Sequence, residues 1–173
     1  GRPRDDGARA ILTDLDDGEI VRAGLKKQEY FQALLDEDPI EIFKSSVTLA
    51  EELAAAGVKM AVASSSKNTV AILERTGLAG LFSAVIAGND FKKGKPDPEI
   101  FLLAAGKLGA KPKECVVFED AKAGVEAARN GGFFGVGIDR HSDPGELAAA
   151  DMVVADLSEI TLKDITRKME KQR

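Results

Sequence analysis

In this 173-residue chain, Glu119 and Asp120 are two adjacent carboxylates ending the apolar run Val116, Val117 and Phe118. A short apolar run bounded by polar residues reads as a core strand, and carboxylates are rarely buried without a partner. At the carboxyl edge of an open α/β sheet, where ligands bind, the pair could hold a hard cation, Mg²⁺ above all. The plainer alternative is capping, since Asp120 directly precedes Ala121, Lys122, Ala123 and Gly124 and Asp is a favoured N-cap. Ser64 ends another apolar run ahead of a helical segment, whose free N–H groups and dipole favour an anion. Its hydroxyl could donate to a phosphoryl oxygen, although Ser64, Ser65 and Ser66 could equally serve as caps. Lys95 stands in Gly94-Lys95-Pro96-Asp97-Pro98, where Asp97 and Pro98 signal a helix start and a rigid turn. A loop lysine is ordinarily solvated, but an ammonium fixed here could neutralise a phosphate or a nucleophilic carboxylate.

These residues can cooperate only if the strands deliver their ends to one edge. Leu49, Leu53 and Ala56 make a helix face ended by Gly57, followed by a strand over Val58 to Ala63. The pattern continues with a helix from about Lys67 to Arg75, a strand over 84–87, a helix over 97–108 and the strand ending at Asp120. A helix over 121–130 closes on Gly131 and Gly132, and strands follow at 133–137 and 152–154. The last helix begins near Leu157, with a charged tail from Arg167 to Arg173 expected to fray. Strands alternating with helices imply right-handed parallel crossovers and a covered sheet, a three-layer doubly wound α/β fold.

The N-terminal part reads differently. Ala8, Ile11, Leu12 and Leu15 share one helix face that Asp5 or Asp6 can cap, which leaves Asp14 toward solvent. Asp16 and Glu19 have the spacing of a capping box, and Ile20, Ala23, Lys27, Phe31, Leu34 and Leu35 carry a second helical stripe to about Asp36. Asp38 to Ser46 is then a connection broken by Pro39, with Ile42 and Phe43 expected to pack down. Tyr30 and Phe31 are expected to pack the helix that carries them, and His141 to sit solvated in a loop.

Composition narrows the function. A net charge of -5 with 31% charged residues of both signs argues against a nucleic-acid surface, and the few aromatics offer no stacking platform. No apolar stretch approaches the roughly 18 to 20 residues that span a bilayer. The lone Cys115 cannot form an internal disulfide and is expected to be a small buried hydrophobe. A soluble cytoplasmic monomer acting on a small molecule is the expectation.

Taken together, AVASSSKN around Ser64, GKPDPEIF around Lys95 and VVFEDAKAGVEAA around Glu119 and Asp120 resemble the haloacid dehalogenase-like phosphotransferases, especially the β-phosphoglucomutase group. Order and spacing match from Phe43 to Val154. The resemblance implies that Ser64 and Lys95 bind the transferring phosphoryl group, and that Asp120, assisted by Glu119, coordinates Mg²⁺. It also implies that Ser65, Ser66 and Asn68 help bind a sugar phosphate.

That family begins with a D-x-D-G motif whose first Asp is the nucleophile. Asp14-Leu15-Asp16-Asp17-Gly18 has one residue too many before the glycine. GRPRDDGARAIL and GLKKQEYFQALL instead resemble segments of the family's helical cap, which places Arg4, Lys27 and Gln28 toward the substrate, with Gln28 replacing a usual asparagine. The expectation is a partial helical cap over 1–40 and an α/β core over 41–173 lacking its first strand, inactive alone. Two alternatives stay open: a non-catalytic sugar-phosphate-binding module, and a reduced-cap phosphatase with Ala8 to Leu15 in the vacant slot and Asp14 as nucleophile.

Overall fold

The computed structural model describes residues 16–37, 40–88, 90–140 and 142–171. Helix α1, Asp17–Glu37, starts where the Asp16 and Glu19 spacing predicts. The Glu19 amide donates to Asp16 Oδ1 at 2.8 Å and the Asp16 amide donates to Glu19 Oε2 at 3.0 Å, a reciprocal capping box that satisfies two otherwise orphaned donors. Asp16 thus has a structural task. Tyr30 departs from expectation, being 62% exposed with Lys26 Nζ 5.8 Å from its ring centroid. Ile42 and Phe43 also stay exposed, because Phe43 packs upward under the guanidinium of Arg140, whose Cζ lies 3.6 Å from the ring centroid.

From α2, Lys44–Ala55, strands and helices alternate as the periodicity predicts. Gly57 follows at φ +75°, and the amides of Gly57 and Val58 donate to Ala54 and Leu53 carbonyls, a left-handed stop that a β-carbon would strain. Then come β1, Ala61–Ser64; α3, Thr69–Arg75; β2, Ala84–Ala87; and α4, Glu99–Leu108. They are followed by β3, Val116–Glu119; α5, Lys122–Asn130; β4, Phe134–Ile138; β5, Met152–Val154; and α6, Leu162–Lys171. The last helix starts later than expected, after a 3₁₀ turn at Leu157–Glu159. The tail expected to fray is helical through Lys171, where Arg167 pairs with Asp164 at 3.1 Å. Cys115 is only partly buried. Its thiol donates to the Lys111 carbonyl at 3.3 Å, and burial first, then Glu114, pushes its pKa up.

All described strand pairs are parallel, and the alternation of side chains puts a core on each face. Val117 joins Ile86, Ile100, Phe101, Ala127 and Phe133 on one side. On the other, Val116 and Phe118 pack toward Leu49, Leu53, Val136, Leu157 and Ile165. Helices α4 and α5 contribute to the first layer, and α2 and α6 to the second. Full burial of a side chain such as Ile100 or Val136 stabilises the fold by about 1.5 to 3 kcal/mol. The sheet is not continuous among the described residues: β1 pairs with β2, and β3 with β4 and β4 with β5. Between β1 and β3 lies a cavity of about 690 Å³ lined by Val62, Ala63, Phe101, Leu108, Val117 and Phe118 among others. No described helix is long and apolar enough to cross a membrane.

The β5 side of the fold is tied to α2 by one carboxylate. Asp156 accepts from Ser45 Oγ at 2.7 Å and from Ser158 Oγ and N at 2.6 and 2.9 Å. Ser158, then Ser45, lower its pKa to about 2 against a usual 3.8. A depressed pKa contributes stability that is present above the unfolded value and is lost as pH falls through the folded one. Thermal midpoints measured between pH 5 and pH 2 should therefore drop across the interval from about 3.8 to about 2, and Asp156→Asn should flatten that part of the drop.

Candidate active site

Lys95 follows β2, and the loop that carries it is held from several directions. The Glu99 carboxylate accepts from the amides of Lys92 and Lys93 at 3.2 and 2.7 Å. Asp97 Oδ1 accepts from the Glu99 amide at 3.0 Å, and Asn130 Nδ2 donates to the Pro96 carbonyl at 3.0 Å. The Lys95–Pro96 peptide is cis. The expected cap is shifted by one residue: Pro98, not Asp97, is the N-cap of α4, and Asp97 lies just before it.

This framework buries the lysine. Its side chain is 6% exposed, its Nζ donates to Glu119 Oε1 at 3.1 Å, and the ring of Phe101 lies 4.8 Å below it. An ammonium out of water is costly unless paired, and the carboxylate and the π face are its counterweights. Glu119, itself 14% exposed, is packed against Gly124, where a β-carbon would overlap its side chain. Because Lys95 lies beyond the carboxyl end of β2 and Glu119 at that of β3, the pair joins the carboxyl ends of the two sheets. The apolar cavity between the sheets reaches this point, since Glu119 is among its lining residues.

Asp120 is turned elsewhere. The N-cap of α5 is Ala121 and receives no side-chain capping bond, so the capping alternative for Asp120 is not what the structure uses. Asp120 Oδ2 accepts from Arg140 Nε at 3.2 Å, with the arginine 18% and the aspartate 51% exposed. Arg140 also donates from Nη2 to Ser46 Oγ at 3.4 Å, while Phe43 lies under its plane. Sequence reasoning missed Arg140. The available signal was a cation two residues past the end of a strand, but its partners lie 20 and 94 positions away.

Ser64 ends β1, opposite Ala87 of β2, at the same carboxyl edge. Its Oγ accepts from the Ser66 amide, and Ser66 Oγ accepts from the Asn68 amide, each at 3.2 Å. The serines therefore shape a turn; the N-cap of α3 is Asn68, with no side-chain capping bond. Ser65 and Asn68 lie in this turn. The structure thus gathers Lys95, Glu119 and Asp120 with Arg140, and places the serine turn at the same edge. Lys27 is exposed on α1. Arg4, Asp14, His141 and the side chain of Gln28 lie outside the described residues.

Hard oxygen donors suit Mg²⁺, which keeps several waters and commonly takes only one or two carboxylates besides substrate oxygens. Asp120, half exposed at a strand end, fits as such a donor, and Glu119 stands next to it with one oxygen on Lys95. Among the described residues no group of three or more His, Cys, Asp or Glu gathers around a common point.

A family model described as haloacid dehalogenase-like hydrolase matches residues 4–132. The chain is 32% identical over 167 residues to a β-phosphoglucomutase of Bacillus subtilis, covering 96% of this chain and 72% of that protein. It is 36% identical over 183 residues to a β-phosphoglucomutase of Mycobacterium bovis, covering 92% and 70%. Among solved structures, that of a β-phosphoglucomutase from Clostridium difficile superposes with a TM-score of 0.90 at 27% identity, covering 99% of this chain and 79% of that one.

Removing one partner of the buried pair strands the other. Glu119→Ala should destabilise the chain by about 3 kcal/mol in denaturant unfolding, whereas the exposed Asp120→Ala should cost well under that. Gly124→Ala should also destabilise, although alanine favours helix by about 1 kcal/mol, because the methyl displaces Glu119. A gain in stability would show that Glu119 is not confined there.

Proposed function

This chain belongs to the haloacid dehalogenase-like hydrolases, and on that premise we propose that it serves Mg²⁺-dependent phosphoryl transfer on a sugar phosphate, of the β-phosphoglucomutase kind. The observation that carries the reading is the buried Lys95 ammonium, held by Glu119 beside Asp120 at the carboxyl edge. In this reading Lys95 and the Ser64 hydroxyl receive the phosphoryl oxygens, and Asp120, assisted by Glu119, holds the metal. Mg²⁺, when bound, would spread the charge that develops on those oxygens. In the same reading Ser65, Ser66 and Asn68 bind the sugar phosphate, and Arg4, Lys27 and Gln28 are assigned to the substrate by the resemblance of their segments to the family's cap.

We read residues 1–40 as a partial helical cap and 41–173 as an α/β core lacking one strand. Support comes from the apolar cavity between β1 and β3, each of which pairs with a single strand among the described residues. A nucleophilic aspartate splits such a transfer into two easier steps, and among the described residues none beyond Glu119 and Asp120 is gathered around Lys95. On this reading the chain by itself binds a sugar phosphate, and turnover requires a nucleophile from outside the described residues.

Calorimetry with glucose 1-phosphate and Mg²⁺ should give saturable binding that Lys95→Ala weakens about tenfold or more, the loss of a charge-assisted hydrogen bond. No inorganic phosphate should be released. Equal affinity in Lys95→Ala would remove the site, and phosphate release abolished by Asp14→Asn would show that the chain carries its own nucleophile.

A further inference from the structure

Among the described residues, two ion pairs of cancelling charge stand side by side at the carboxyl edge. Lys95 faces Glu119 at 3.1 Å, and Arg140 faces Asp120 at 3.2 Å. We propose that Arg140 makes this edge self-neutralising, so that Mg²⁺ and a phosphate dianion bind it as a coupled pair and each binds poorly alone. The inference rests on the reading of Asp120 as the metal-binding carboxylate and adds to it a role for Arg140, a positioning residue.

Arg140 is not a surface arginine that can swing away. The Phe43 ring supports its plane at 3.6 Å, Ser46 Oγ accepts from Nη2 at 3.4 Å, and the side chain is 18% exposed. Its charge is permanent.

Two effects of such a neighbour oppose each other. By holding Oδ2, Arg140 orients Asp120 and favours a metal on the remaining oxygen. By its charge, it repels a cation that must sit against the same carboxylate. Orienting a short side chain contributes little, whereas a divalent ion doubles the Coulomb repulsion at a separation well inside the Debye length. Repulsion therefore wins for Mg²⁺ alone. Mg²⁺ alone adds two positive charges to the two balanced pairs; a phosphate dianion alone adds two negative ones. Together they restore neutrality, and linkage requires each to raise the affinity of the other by the same factor.

The test is calorimetric titration of Mg²⁺ into wild type, Arg140→Gln, Arg140→Lys and Asp120→Asn, with and without saturating inorganic phosphate and at equal free Mg²⁺. For the wild type, phosphate should tighten Mg²⁺ binding about fivefold or more. Arg140→Gln should bind Mg²⁺ alone about threefold or more tightly than wild type and lose most of the phosphate dependence. Arg140→Lys should restore it. If Arg140→Gln does not fold, Phe43→Leu, which removes the ring beneath the guanidinium, should shift Mg²⁺ affinity in the same direction by less. The proposal is overturned if Arg140→Gln binds Mg²⁺ no more tightly than wild type while Asp120→Asn has lost binding. Wild-type affinity in Asp120→Asn, or no Mg²⁺ binding by any chain, would instead strike the assignment of Asp120 and the proposal with it.

Discussion

The Lys95–Glu119 pair is the interaction on which the arrangement of this molecule depends. It joins a loop beyond β2 to the end of β3, and thereby the carboxyl ends of two sheets that share no hydrogen-bonded strand among the described residues. Burying an ammonium demands a partner, and meeting that demand fixes other positions. Phe101 must lie beneath the lysine, Gly124 must leave room for Glu119, and Asn130 must hold the loop at Pro96. Each requirement falls on a different element, so the pair couples α4, β3 and α5 to one point. The two core clusters supply most of the burial, but they are non-directional and would tolerate small shifts. The ion pair does not.

A second network, around Arg140, differs in character. It is more exposed and joins the strand end at Asp120 to the entrance of α2 through Phe43 and Ser46. The consequence is that the acid pair divides: Glu119 is committed to a buried partner, while Asp120 stays half exposed to solvent. Two neighbouring carboxylates, one ending β3 and the other just past it, thus have different environments. One points toward α5 and the lysine, the other toward β4 and the arginine.

Local pattern carried a long way here. The capping box at Asp16, the stop at Gly57 and the parallel alternation from β1 to β5 follow from short-range chemistry and periodicity. The motifs around Ser64, Lys95 and Glu119 were legible because each lies at a strand-to-loop transition that the apolar pattern marks. What stayed illegible required contacts between distant positions. Phe43 looked like a residue that should pack down, and instead it lies under an arginine 97 positions later. Asp120 looked like a helix cap as much as a ligand, and in the fold it caps nothing but meets Arg140 across the edge. Tyr30 sits on a helix whose stripe suggested burial, yet exposure is set by what packs opposite, which a stripe does not specify.

The sequence by itself determined the class of fold, the order of its elements and the residue types available at the strand ends. Periodicities of 2 and 3.6, helix stops and turn residues act within a few positions, so they can be read one segment at a time. Tertiary structure decided which charges meet, which carboxylate is buried and which remains open, and that an arginine outside every motif stands at the site. Those outcomes depend on desolvation and on geometry between segments up to 97 positions apart in the chain, and both come into being only when the segments pack.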